Sequence, residues 1–281
     1  MAINEKEFTE AYEMWQDFTN EVLYNNRFFI SHRVIEIIKS FTERSTKEVT
    51  AGQSLYRARL FDMDEAFFRY YHKLKSDRND ESPFNGYDAE GSFVPKNNDF
   101  VSDGRANPAF IKYLYTAEDA YTALVEIRPY LNSLVSVSKI QVNENLRVAD
   151  FTYDGFSKTN GIEEHLFYFI MSDFSKPSNS NRKDYIPTQY IAEYVKNLGF
   201  DGIRFNSSLH GRGRNVTIFN YDKCEAVDSK VYKINDLCFE AKAVAPEQGT
   251  DLVHFKLQEY LEKSREELLK SLFNSLNSKK D

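Results

Sequence analysis

Residues 104–130, GRANPAFIKYLYTAEDAYTALVEIRPY, constrain the fold more than any other stretch. The segment opens on a loop carrying Arg105 and Asn107. An apolar run over residues 111–115 then alternates as a strand does. Thr116 is placed to cap a helix, with Asp119 three residues on as a loose capping box. The spacing predicts that helix over residues 117–128, stopped by Pro129. Ala120, Ala123, Leu124 and Ile127 recur at helical spacing and are expected to face a core. Glu126 lies beside that stripe, about three helical turns beyond Tyr115. A carboxylate there can sit at the edge of a cleft, near the mouth of the strand. The competing reading is a surface glutamate paired with Arg128 or Lys139.

Elements of both kinds flank this stretch. Residues 4–25 place Phe8, Tyr12, Trp15, Phe18 and Val22 on one helical face. Residues 28–43 repeat the pattern through Phe29, Val34, Ile37, Ile38 and Phe41. Residues 54–60, SLYRARL, alternate as a strand with Arg57 and Arg59 on one face and Tyr56 and Ala58 on the other. A helix rich in aromatics is read over residues 61–74. Residues 76–108 are irregular, and a loop this long is expected to pack around a cleft. Strands are predicted at 134–142 and 146–151, and a helix at 162–174. A polar loop is read at 177–183, and a second helix starts at Pro187 or Thr188 and stops at Gly199. Strands at 202–206 and 215–220 enclose a glycine-rich loop. Two further strands are expected between 224 and 244, and an amphipathic helix over 250–278. The fold class is α+β: helices at both ends of a mixed sheet.

Charge narrows the function. Over 281 residues the net charge is −7, which argues against a broad basic face for nucleic acid. Cys224 and Cys238 are the only cysteines, there is no CxxC pair, and the five histidines are scattered, so no metal site is expected. The N-terminus lacks the apolar stretch of a signal peptide, and no apolar run reaches the roughly 20 residues of a membrane helix. The expectation is a cytoplasmic protein that does not engage a membrane.

Arg57, Arg105, Tyr115, Glu126 and Ser207-Ser208 are the polar candidates near strands. An arginine on a strand needs an anion or a carboxylate to satisfy it, and its planar fork suits phosphate. The alternative for Arg57 is a salt bridge to a core acid. Residues 211–214, GRGR, lack the Lys-Ser/Thr ending of a P-loop and precede no helix. Ser207 has no neighbouring Asp-His pair in sequence to activate it as a nucleophile, and His210 reads as a loop histidine. A carboxylate, arginines, a tyrosine and a serine together suit cleavage of a glycosidic bond at a ribose. The carboxylate stabilises an oxocarbenium-like centre, arginine anchors a pyrophosphate, and tyrosine offers a face for a base. That set matches NAD cut between nicotinamide and ribose.

The sequence also resembles the RES-domain family. The motifs are LYRAR at 55–59, GRANP at 104–108, YLYTAEDAYTALVEIRP at 113–129, and DGIRFNSS with GRGRNVTIF within 201–219. The resemblance spans about residues 52–225. It implies a mixed β-sheet core similar to ADP-ribosyltransferase toxins, with an NAD-binding catalytic domain at 51–245; the helical extension at 1–50 and the C-terminal helix at 246–281 exceed the family's minimal domain. It implies consumption of NAD as substrate, by hydrolysis, phosphorolysis or ADP-ribosyl transfer, in bacterial toxin–antitoxin modules. An antitoxin protein is the partner that follows, and the apolar stripe of the added N-terminal helices allows a homo-oligomer. Carried over by position, Arg57 would bind the NAD phosphates, Tyr115 would pack near the nicotinamide, and Glu126 would be the catalytic carboxylate. Ser207 would orient the ribose, with Arg105 and Asn215 supporting the pocket. The reading from a different class is a catalytically silent module that binds a nucleotide or peptide in the same cleft.

Overall fold

The computed structural model describes residues 5–62, 64, 82–152, 161–176 and 182–238. The chain begins with helix α1 (Glu5–Asn20), continued by a wider turn over Glu21–Asn25, and then α2 (Arg33–Arg44). On α1, Ala11, Trp15, Phe18 and Val22 are buried, whereas Tyr12 is 48% exposed. Trp15, Phe18 and Val22 thus take the expected inward face, and the small Ala11 replaces Tyr12 on it. Residues 28–32 do not join the second helix. Phe29 is 90% exposed, and α2 starts where the His32 ring accepts from the Val34 amide (3.2 Å). A polar N-cap ends the extended stretch there, because it satisfies a donor the helix cannot.

Strand β1 (Thr46–Val49), which the sequence reading missed, follows α2. Its four residues are too few to show an alternation. Strand β2 (Ser54–Phe61) is as expected. Strand β3 covers Leu114–Ala117 and helix α3 Ala120–Glu126, so both are shorter and begin later than predicted. Thr116 is not the cap: it lies in β3 and its hydroxyl donates to the Val216 carbonyl (2.7 Å). Asp119 caps α3 instead, accepting from the Thr122 amide (2.8 Å). The buried face of α3 is Thr122 and Ala123; Ala120, Leu124 and Ile127 are only partly buried.

Strands β4 (Leu134–Val142) and β5 (Leu146–Phe151) match their predicted spans. Helix α4 (Ile162–Ser175) and helix α5 (Ile186–Asn197) follow. Gly199 terminates α5 at φ +83°, a left-handed conformation that costs glycine little. The last strands are β6 (Gly202–Asn206), β7 (Arg214–Ile218) and β8 (Cys224–Lys233). Among the described residues β8 is one long strand where two were expected. The predicted helices at 250–278 and over most of 61–74, and most of the loop at 177–183, lie outside the described residues.

The strands form one sheet in the order β1-β5-β6-β7-β3-β2-β4-β8. The β5–β6 pair is parallel, while β1–β5, β6–β7, β3–β7, β2–β3 and β2–β4 are antiparallel. Helices α4 and α5 lie in the connection between the parallel pair, as such a crossover requires. With the N-terminal helices they bury one sheet face through Phe151, Ile203, Phe205, Phe174 and Phe18. The opposite face buries Leu55, Leu114, Ile140, Val148 and Ile218, with loop residues Phe93 and Val94 packed on it.

The N-terminal helices belong to that core. Phe18 is fully buried and touches the rings of Trp15, His32 and Tyr190, and the Trp15 indole N–H donates to Asp173 (3.0 Å). Each apolar side chain of this size contributes about 1.5–3 kcal/mol when buried. Against a typical total of about 5–15 kcal/mol, loss of this face would leave little stability.

Contacts divide the chain into two units, 1–129 with 134–232, and 130–133 with 233–281. In the second, the Asn132 amide donates to the Ile234 carbonyl (2.8 Å) and the Ile234 amide to Ser133 (3.0 Å). No helix among the described residues is long and apolar enough to cross a membrane.

Candidate active site

Three separate segments meet at Glu126. It sits at the C-terminal end of α3, and its Oε1 accepts from the Ser207 hydroxyl (2.5 Å) and from the Asn215 amide (2.8 Å). Ser207 follows β6 and Asn215 lies in β7. Neither surface pairing weighed for Glu126, with Arg128 or with Lys139, is its partner. Among the described residues no donor reaches Oε2.

The Ser207 hydroxyl is fully engaged. It accepts from the amides of Leu209 (3.1 Å) and His210 (3.0 Å). Both lone pairs are then used, so its one proton must point at Glu126. Ser207 is 92% buried, at 8% exposure, and this bonding suits a holder of the carboxylate better than a nucleophile.

Tyr115 and Asn107 organise the neighbouring loop. The Tyr115 hydroxyl donates to the Asn107 side-chain oxygen (2.7 Å) and accepts from the Ala106 amide (3.0 Å). Asn107 in turn donates to the carbonyls of Ser102, Pro108 and Ile111, each at 3.0 Å. Burial pushes the Tyr115 phenol well above the ordinary tyrosine range, so it stays neutral. With its hydroxyl committed, Tyr115 can offer only its ring. At Gly104 an added Cβ would sit 2.6 Å from the Asn107 oxygen and 2.7 Å from the Tyr115 hydroxyl, so this position requires a glycine.

Arg105 has a structural task beside the site. Its guanidinium donates to the carbonyls of Asp173 (2.5 Å) and Lys176, at the end of α4. Those carbonyls have no partner within the helix, and a cation there also complements the helix dipole. Burial lowers the Arg105 pKa, and among the groups that oppose the fall are Tyr185, Tyr115 and Glu126. Arg105 therefore lies within the field of the Glu126 carboxylate.

Arg57 is not brought to this cluster. The register places Phe205, Asn215, Ala117 and Tyr56 in one row across β6, β7, β3 and β2. Side chains alternate along a strand, so Tyr56 shares the face of Asn215 and Arg57 takes the other. The Arg57 guanidinium donates to the carbonyls of Phe93 (2.6 Å) and Ser92 (3.2 Å), not to a core acid. Burial, with Arg59 beside it, lowers its pKa to about 10. Arg57 and Arg59 line a groove of about 650 Å³ with Tyr87, Phe93 and Lys96.

Sequence reasoning named Tyr56 only as a strand position and Asp119 only as a capping-box partner, and it passed over Thr122 and Asp201. The Thr122 hydroxyl donates to Asp119 (2.6 Å) and lies 2.7 Å from His210 Nδ1. An Asp three residues before a Thr at a helix start was the available signal, and the assignment of Thr116 as cap hid it. The turn entering α3 is held further by Arg204, whose guanidinium forks onto Glu118 (2.7 and 3.2 Å) and reaches both Asp150 oxygens (3.0 Å).

The RES domain family's model matches residues 67–240. That span contains Arg105, Tyr115, Glu126, Ser207 and Asn215, and begins after Arg57. No curated protein matches the chain in sequence. Among solved structures, the chain is similar to the M. tuberculosis MbcT–MbcA toxin–antitoxin complex, at 16% identity and a TM-score of 0.37. The match covers 70% of this chain and 92% of that one.

Proposed function

The chain belongs to the RES-domain family, and from that premise we propose that it is an NAD-consuming enzyme that cleaves the nicotinamide–ribose bond. The observation that carries the proposal is the Glu126 carboxylate, held at one oxygen by Ser207 and Asn215. The second oxygen is available for a ribose hydroxyl. As the C1′–N1 bond breaks, its electron pair leaves with the nicotinamide ring nitrogen, which becomes neutral. The ribose carbon takes on oxocarbenium character, and a fixed carboxylate nearby stabilises that charge without having to reorganise. An acceptor then donates a lone pair to C1′ and gives up its proton. Water, phosphate and a protein side chain all satisfy that balance.

Tyr115 and Tyr56 share the sheet face of Asn215 with Phe205, and the two tyrosine rings are our candidates for the face that meets the nicotinamide. Arg105 adds positive potential beside the site, towards the NAD phosphates. Both Arg57 contacts use one terminal nitrogen, so a phosphate on that face of the sheet would be met by the remaining guanidinium N–H groups. A toxin role restrained by an antitoxin protein belongs to the same proposal, and its support is family membership.

Purified protein incubated with NAD should release free nicotinamide, and mass spectrometry with and without phosphate should identify the product. Binding of NAD with no nicotinamide release would instead support a silent binding module.

A further inference from the structure

We propose that Asp119, Thr122 and His210 form a latch of positioning residues that holds the loop over residues 207–213 against α3 and so fixes the direction of the Glu126 carboxylate. The inference rests on the NAD-cleaving reading. It adds residues that do not touch the carboxylate.

Helix α3 has seven residues, too few to be stable on its own, so contacts must set its orientation. Its C-terminal end is tied to the loop through Glu126 and Ser207. Its N-terminal end is tied to the same loop through Thr122, which is fully buried. Burial raises the Asp119 pKa, but the Thr122 hydroxyl and amide and the nearby His210 leave it below the ordinary range. An ionised carboxylate only accepts, so the Thr122 hydroxyl donates to Asp119 (2.6 Å). Its lone pair must then receive the proton on His210 Nδ1, 2.7 Å away. The chain of bonds thereby selects the Nδ1–H tautomer. The Tyr121 ring stands edge-on to the imidazole at 5.1 Å.

The loop closes on itself to present this histidine. The Gly213 amide donates to the His210 carbonyl (2.8 Å), and the Ser207 amide to the Gly213 carbonyl (3.0 Å). A Cβ at Gly213 would lie 2.5 Å from the Thr122 hydroxyl and 2.8 Å from His210 Nδ1. Only glycine permits this approach. The His210 amide is one of the two that orient the Ser207 hydroxyl. Holding the His210 ring therefore holds the donor that fixes Glu126.

The test compares full-length Thr122→Val, Thr122→Ser and His210→Ala with the wild type. The readouts are amide hydrogen exchange at Leu209 and His210, and kcat and KM for nicotinamide release. Thr122→Val removes the relay at nearly constant volume. Exchange at both amides should quicken by at least roughly tenfold as the loop opens locally. A misdirected carboxylate should lower kcat by about ten- to a hundredfold while KM stays within about twofold. Thr122→Ser keeps the hydroxyl and should restore both. Where Thr122→Val fails to fold, His210→Ala, at a partly exposed loop position, carries the same comparison. Unchanged exchange overturns the latch. Faster exchange with unchanged kcat overturns its positioning role, as does a loss confined to KM. A wild type that releases no nicotinamide overturns the functional proposal, while exchange still decides whether the latch exists.

Discussion

Replacing Glu126 by glutamine is the sharpest test of the site, because the structure separates its charge from its fixing bonds. Ser207 and Asn215 both donate to Oε1. The glutamine side-chain oxygen can take that place and keep both bonds, which directs its NH₂ to the substrate side. The reverse orientation would set donors against donors. Shape and packing are kept and the charge is lost. A carboxylate about 4 Å from a developing cation is worth about 4 kcal/mol at an effective dielectric of 20. Removing one preorganised electrostatic contact in other enzymes costs about 10²–10³ in kcat. At about 1.36 kcal/mol per tenfold, the two estimates agree on a loss of a hundred- to a thousandfold. The melting temperature should fall by no more than about 2–4 °C, the scale of 1 kcal/mol in a domain of this size. The assay is nicotinamide release under saturating NAD, with a thermal melt of the same sample. A folded Glu126→Gln protein releasing nicotinamide near the wild-type rate would refute the assignment.

Arg57→Lys distinguishes the phosphate anchor from the loop anchor. Lysine ends one bond short of the Arg57 nitrogen that holds both carbonyls, so the melting temperature should fall while NAD affinity stays within about twofold; a calorimetric titration showing a large loss of affinity would restore the phosphate role. Phe18→Ala should cost about 3–5 kcal/mol in urea unfolding, because the side chain has no exposed surface; a cost below about 1 kcal/mol would show that α1 packs loosely. Asp201 is nearly buried and accepts from Asn220 (2.6 Å), Lys223 (2.8 Å) and the Arg147 amide (2.8 Å). Burial raises its pKa, but these donors outweigh it and leave it below the ordinary range. Its stabilisation is complete above the unfolded pKa of about 3.9 and is lost as pH falls through the lower folded value. Asp201→Asn should therefore lower stability at pH 7 by about 1–3 kcal/mol and flatten the acid limb below about pH 4; urea melts at both pH values with equal losses would contradict this.

Much of the secondary structure is legible in the chain itself. The alternation in SLYRARL and in residues 134–142 and 146–151 marks β2, β4 and β5, because a strand with two differently packed faces must repeat every second residue. Pro187 and Gly199 bracket α5 because one cannot enter a helix interior and the other accepts φ +83°. The motifs around Arg105, Tyr115, Glu126, Ser207 and Asn215 are likewise visible as residue types in order. What the sequence could not supply is which of them meet. Glu126 lies 81 residues from Ser207 and 89 from Asn215, and no local pattern reports a contact at that range. Sheet order and register made that choice, by setting β6, β7 and β3 side by side. The same register turned Tyr56 onto the sheet face of Asn215 and Arg57 onto the other, a one-residue difference that reverses the face of a strand. Local periodicity states that a side chain points to one of two sides. Only the neighbours assembled by the tertiary fold decide what waits there, and whether an arginine finds a phosphate or a pair of loop carbonyls.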